Sequence, residues 1–156
     1  MKSHLNTFFV LMLPIILIVT GCKTTKQPNF YLGKNSNIIT SKNYLDEGKK
    51  QLDKKNYNEA LAQFNKAVKI DSTNGEAYSF RGMSKYHLKD LKGAINDYDT
   101  AVNLIPNFGE VYDMRGVAKA ELGDKVGACE DWNKAFEMGF NKAFDLIDKY
   151  CKEENK

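Results

Sequence analysis

The chain has 156 residues, 42% of them hydrophobic and 28% charged, which is the mix of a soluble, folding chain of one ordinary domain or a short array of repeats. Twenty-three Lys and Arg against 20 Asp and Glu leave a net charge of +3. No basic stripe of the kind a nucleic-acid binder carries appears. Two histidines and three cysteines leave little material for catalysis or metal binding, so neither an enzyme nor a cofactor is expected.

The first segment, residues 1–21, has a basic start at Lys2 and an apolar run from Phe8 to Val19 interrupted by Pro14. A short apolar core behind a basic start is the pattern of a secretory signal. A spanning helix needs roughly 20 apolar residues, so a plain membrane anchor is the alternative. Val19-Thr20-Gly21-Cys22 resembles a bacterial lipobox. That resemblance implies diacylglycerol on the Cys22 thiol and cleavage after Gly21. Acyl chains in pairs anchor stably where a single one is marginal. The competing reading is an ordinary signal peptide with a chance cysteine at its end. Lys23 stands where an enterobacterial inner-membrane lipoprotein has Asp, which favours the outer membrane of a bacterial envelope. Residues 22–40 then read as a lipidated Cys and a flexible linker. The stretch carries Lys23, Lys26 and Lys34 and no acidic residue, and its reach is on the order of 25 Å.

The body repeats at a fixed step of 34. Gly48, Gly82 and Gly116 keep it, as do Tyr44, Tyr78 and Tyr112, and the column Phe64, Tyr98 and Trp132. Ala60, Ala94 and Ala128 fall in the same register, with Ala67, Ala101 and Ala135 behind them. Within each repeat the apolar spacing is helical: Ala60, Phe64, Ala67 and Val68 lie at i, i+4, i+7 and i+8. Each repeat is therefore two helices and a turn, and the repeats run over residues 41–74, 75–108 and 109–140. Asn56, Asp90 and Asp124 sit where each second helix begins and are expected to cap it. The glycine and alanine columns let helix axes approach, and the aromatic fills the space between neighbours. Residues 141–151 continue as an end helix with Ala143, Phe144, Leu146, Ile147 and Tyr150 on one face. A solenoid needs such a helix to close its last interface. Residues 152–156 form a tail.

The pattern resembles the tetratricopeptide repeat, a 34-residue helix-turn-helix unit with Gly, Ala and aromatic anchors. The resemblance implies an all-α solenoid of three such repeats plus a C-terminal capping helix. Tyr takes the slot of the usual Trp, and Glu47, Arg81 and Arg115 stand where Leu is expected. The closing Pro survives only as Pro106. The segment from Gly127 to Trp132, with the Lys149-Tyr150-Cys151 ending, also resembles repeat-bearing lipoproteins of the Bacteroidetes.

Cys129 lies ten residues before Gly139 and Cys151 twelve after it. Antiparallel helices about that turn would bring the sulfurs to one height, giving either a disulfide or two buried thiols. Arg81 and Arg115 occupy one slot and Asp97 and Asp131 another, whereas the first repeat has Glu47 and Gln63. Because Arg and Asp come and go together, an ion pair between helices is expected, with an arginine contact to a partner as the alternative. His87 reads as a turn or surface residue rather than a metal ligand.

The resemblance also implies a groove on the first helices. By slot it holds Leu45, Lys49 and Leu52, then Ser79, Met83 and Tyr86, then Glu110, Asp113 and Val117. Ordinary solvated helix surface is the bland alternative for all of them. With Glu110 and Asp113 at one end, a clamp for a C-terminal carboxylate is not expected. The function implied is an adaptor or assembly scaffold for protein partners in an envelope complex. An accessory carrier of glycan or peptidoglycan fragments for a transport system is the rival.

Overall fold

The computed structural model describes residues 30–152, with side chains from residue 36 onward. The signal segment 1–21, Cys22 and the first part of the linker lie outside the described residues, as does most of the tail. Seven helices follow in order among the described residues: α1 (Phe30–Asp53), α2 (Tyr57–Ile70), α3 (Gly75–His87), α4 (Leu91–Leu104), α5 (Gly109–Glu121), α6 (Lys125–Glu137) and α7 (Ala143–Tyr150). Helices pair as α1 with α2, α3 with α4 and α5 with α6, and each second helix packs on the next first helix. First helices also touch one another, α1 to α3 and α3 to α5, with no comparable contact between second helices. The stack is therefore curved, with α1, α3 and α5 on its inner face.

The repeating columns explain the packing. Phe64, Tyr98 and Trp132 are 0%, 1% and 2% exposed and sit among the buried alanines of their own repeats. Each lies against the glycine of the facing helix: a Cβ at Gly82 or Gly116 would come within 2.7 Å of the Tyr98 or Trp132 ring. The turns inside the repeats also follow the step. Lys55, Lys89 and Gly123 take positive φ, and the next N–H donates to a carbonyl five residues back at 2.9 Å, from Asn56, Asp90 and Asp124 to Gln51, Lys85 and Lys119. This closes the first helix in the Schellman manner.

Three expectations are corrected. Helix α1 begins at Phe30, inside the segment read as a flexible linker to residue 40. No proline stands between Phe30 and Asp53, and a helix anchored by a packed C-terminal half grows by one hydrogen bond per residue without needing a buried face. Residues 36–40 are accordingly exposed, and burial starts at Ser41, whose hydroxyl donates to Ala67 O at 3.0 Å. Asp90 and Asp124 cap their helices through Gly93 N and Gly127 N, each at 2.9 Å. Asn56 makes no side-chain cap; its amide nitrogen donates to Gln51 Oε1 at 3.0 Å. The third concerns the cap: α7 starts at Ala143, and of its apolar residues only Ala143 is fully buried, with Phe144 52% and Tyr150 41% exposed.

Cys129 and Cys151 are joined by a disulfide, Cα atoms 5.6 Å apart. It ties α7 to α6 beside the apolar contacts of Ala143, Leu146 and Ile147 with the Trp132 cluster. Closing a loop across a separation of 22 residues is worth about 3 kcal/mol when strain is absent. Reduction, or the C129S/C151S pair, is expected to lower the unfolding free energy by that much, read as a lower denaturant midpoint. Equal midpoints for reduced and oxidised chain would show that α7 holds without it.

Candidate functional site

The inner face is built by residues at fixed slots on α1, α3 and α5. Leu52, Phe80 and Met83 line a depression between α1 and α3, with Lys49 and His87 at its edges. Met83 and His87 also border a second depression of about 180 Å³, shared with Tyr86, Asp113, Met114 and Val117. Val117 in turn opens onto a third, with Glu121, Trp132, Leu146 and Tyr150. Shared residues join the three into one groove from α1 to α7, floored by apolar side chains.

Of the nine slots expected here, Lys49, Leu52, Met83, Tyr86, Asp113 and Val117 line this groove. Leu45 does not: at 4% exposure it belongs to the core of the first repeat with Phe64 and Ala77. Ser79 is likewise buried, at 2%. Both face the neighbouring first helix, which the curvature brings close. Glu110 is exposed and lines none of the three depressions. Phe80, Met114 and His87 were missed, although Phe80 and Met114 sit one residue past Ser79 and Asp113 and share one repeat slot. Stepping the helix face by one residue would have found them.

Asp113 takes the slot that Leu45 and Ser79 fill, but in the third repeat that slot is only partly buried and borders the groove. Among the described residues, Asp113 Oδ1 and Trp132 Nε1 are the buried side-chain polar atoms lacking a hydrogen-bond partner. Burial pushes the Asp113 carboxyl above the usual carboxylate range; Glu110 adds to this and Lys142 works against it.

Arg81, Lys85, Arg115, Lys119 and Lys49 are each engaged by carboxylates. Arg81 holds Asp97 through Nε at 2.8 Å and Nη2 at 2.6 Å, and Lys85 reaches the same carboxylate at 2.8 Å. Arg115 repeats the fork on Asp131 at 2.9 and 2.5 Å and also reaches Asp99 of the preceding repeat at 2.7 Å. Lys119 completes that cluster on Asp131 at 2.8 Å. Lys49 pairs with Glu76 at 2.5 Å and lies over the Phe80 ring. The Tyr86 hydroxyl donates to Glu121, and burial, with that carboxylate, pushes its pKa up to about 12.

His87 stacks on Tyr57, ring centroids 4.4 Å apart. Burial, with Lys89 adding, holds its imidazole below the ordinary range. A histidine with a depressed folded pKa contributes stability above the unfolded value and loses it as pH falls through the folded one. The melting temperature is expected to drop between about pH 7 and about pH 5, and His87→Phe, which keeps the stack, should flatten that drop. An unchanged slope in the variant would exclude His87 as its source.

The tetratricopeptide repeat model matches residues 41–74. No curated protein sequence matches this chain. Among solved structures, the first tetratricopeptide domain of Spaghetti (RPAP3) bound to the HSP90 peptide SRMEEVD superposes with a TM-score of 0.71 at 23% identity, covering 73% of this chain and 92% of that one. The TPR2B–pHsp70 complex of yeast Sti1 gives 0.67 at 21%, covering 72% and 93%. MamA gives 0.66 at 25%, covering 73% and 67%. The fold is thus that of a tetratricopeptide-repeat solenoid.

Proposed function

We propose that this chain is a lipid-anchored binding protein of a bacterial envelope, most consistent with the outer membrane, that holds a segment of another protein in the groove of α1, α3 and α5. The observation that carries the groove is its floor. Phe80, Met83, Met114 and Val117 line a continuous inner surface, while the flanking Arg and Lys are spent on Asp97 and Asp131. Two structural neighbours are complexes with chaperone partners, one of them with the HSP90 peptide SRMEEVD, which supports a protein ligand over catalysis. The rival, a carrier of glycan fragments, wants an enclosed aromatic pocket. The groove carries Phe80, Tyr86 and Trp132 beside Met83, Met114 and Val117, but it is open rather than enclosed, and an open groove fits a peptide better.

The anchor rests on Val19-Thr20-Gly21-Cys22, and the Cys129–Cys151 disulfide suits a compartment outside the cytosol. Metabolic labelling with an alkynyl fatty acid tests it. The wild type is expected to carry label and sediment with membranes, and Cys22→Ser to lose both. An unlabelled wild type, or a labelled variant, would refute lipidation at Cys22.

A further inference from the structure

The groove changes character along its length. At the α1 end it is bordered by Lys55 and by Lys49, the latter paired with Glu76. Toward α5 the floor of Met83, Met114 and Val117 runs up to Asp113, whose Oδ1 is buried without a partner among the described residues. The cations around it have other work: Arg115 and Lys119 serve Asp131, and Lys89 serves Glu121. Only Lys142 bears on Asp113 electrostatically, and burial together with Glu110 outweighs it. Asp113 as a whole is only partly buried and borders the depression, so a bound donor can reach its carboxylate and offset the cost of leaving it unpaired. A charged donor recovers about twice as much as a neutral one.

We propose that this half of the groove selects a cationic side chain: an extended segment of the partner protein sets an Arg or Lys beside an apolar residue, with the aliphatic stem over Met83, Met114 and Val117 and the charge on Asp113. Long basic side chains lie along apolar surface with their heads on a polar group in this way. The Tyr86 ring, which also borders the depression, offers the cation a second favourable contact. An acidic ligand such as SRMEEVD, the peptide on the RPAP3 neighbour, would instead bring its carboxylates against Asp113 and Glu110, and like charges select against it. The inference rests on the groove being the binding surface.

The test presents the immobilised full chain with a library of short peptides, blocked at both ends, with one fixed leucine and all other positions random. Retained peptides are then sequenced. Next to the leucine, Arg and Lys are expected to be enriched over Asp and Glu by about tenfold. Asp113→Asn, close to isosteric and relieved of a buried charge, should erase that preference while leucine-dependent retention persists. Met83→Arg, which removes apolar floor and sets a cation beside Asp113, should abolish retention altogether. Enrichment of acidic residues, no charge preference, no retention by the wild type, or a preference unchanged in Asp113→Asn would each overturn the proposal. Retention indifferent to Met83→Arg would instead overturn the groove itself, whatever the charge preference.

Discussion

Replacing Arg115 with alanine is expected to lower the unfolding free energy by about 3 kcal/mol, the scale for breaking a buried ion pair from one side. Asp131 is 3% exposed, so water cannot replace the lost donors. Lys119 remains within 2.8 Å, which keeps the loss at the lower end of that range. The variant also loses the 2.7 Å bond to Asp99, which ties α5 to the second helix of the preceding repeat, and the guanidinium over the Tyr112 ring at 5.1 Å. Arg115→Lys keeps a charge but not the fork, and should recover only part of the loss. The pair R115M/D131L, which removes both charges, should be more stable than R115A alone. Chemical denaturation of the set decides it. A near-neutral R115A would mean that Lys119 alone satisfies Asp131.

Gly82→Val should be at least as damaging. In the exposed interior of a helix, losing a glycine is a gain of up to about 1 kcal/mol, so the propensity term works against the expectation. Sterics decide the sign. A Cβ at Gly82 would lie 2.7 Å from Tyr98 Cε1 and 3.2 Å from the Ala94 carbonyl oxygen. Tyr98 is 1% exposed and has nowhere to swing, and the carbonyl belongs to helix α4. Overpacking of this kind costs about 1–3 kcal/mol or more, and valine adds two methyl groups beyond the Cβ. Because the middle repeat supports both neighbours, the whole stack should lose stability together. Gly82→Ala combined with Tyr98→Leu should be less destabilised than the sum of the two single changes, since the smaller side chain vacates the space. Strict additivity would show that the clash relaxes elsewhere.

How far the sequence reached depends on what each feature needs to be seen. The repeat and the pairing of helices were legible because five columns share one period; the aromatics were read as filling the space between repeats, whereas each lies against the glycine of its own repeat. The fork of Arg81 on Asp97 was legible for a related reason: both residues are absent from the first repeat, where Glu47 accepts from Gln51 at 2.9 Å instead. By the same logic Lys85 and Lys119 could have been added, since Gln51 fills their slot. Leu45 and Ser79 were misplaced because helical periodicity gives a face but not the angle at which the next helix meets it. Curvature turns that slot into an interface and shifts the groove by one residue, to Phe80 and Met114. No local pattern around Asp113 announces that one of its carboxylate oxygens is buried without a partner. The early start of α1 was hidden by polarity, which argues against burial but not against a helix.

On the proposed function, the inner face of the stack binds a partner protein and the outer face does not. Site-specific photocrosslinking in the native envelope, with the reactive residue at Met83 on α3 or at Lys66 on α2, and mass spectrometry of the crosslinked peptides distinguish the two faces. Met83 is expected to capture one protein through one short segment, and Lys66 is not. The same capture from Lys66, or capture from Lys66 alone, would place the binding surface on the second helices and contradict the proposal.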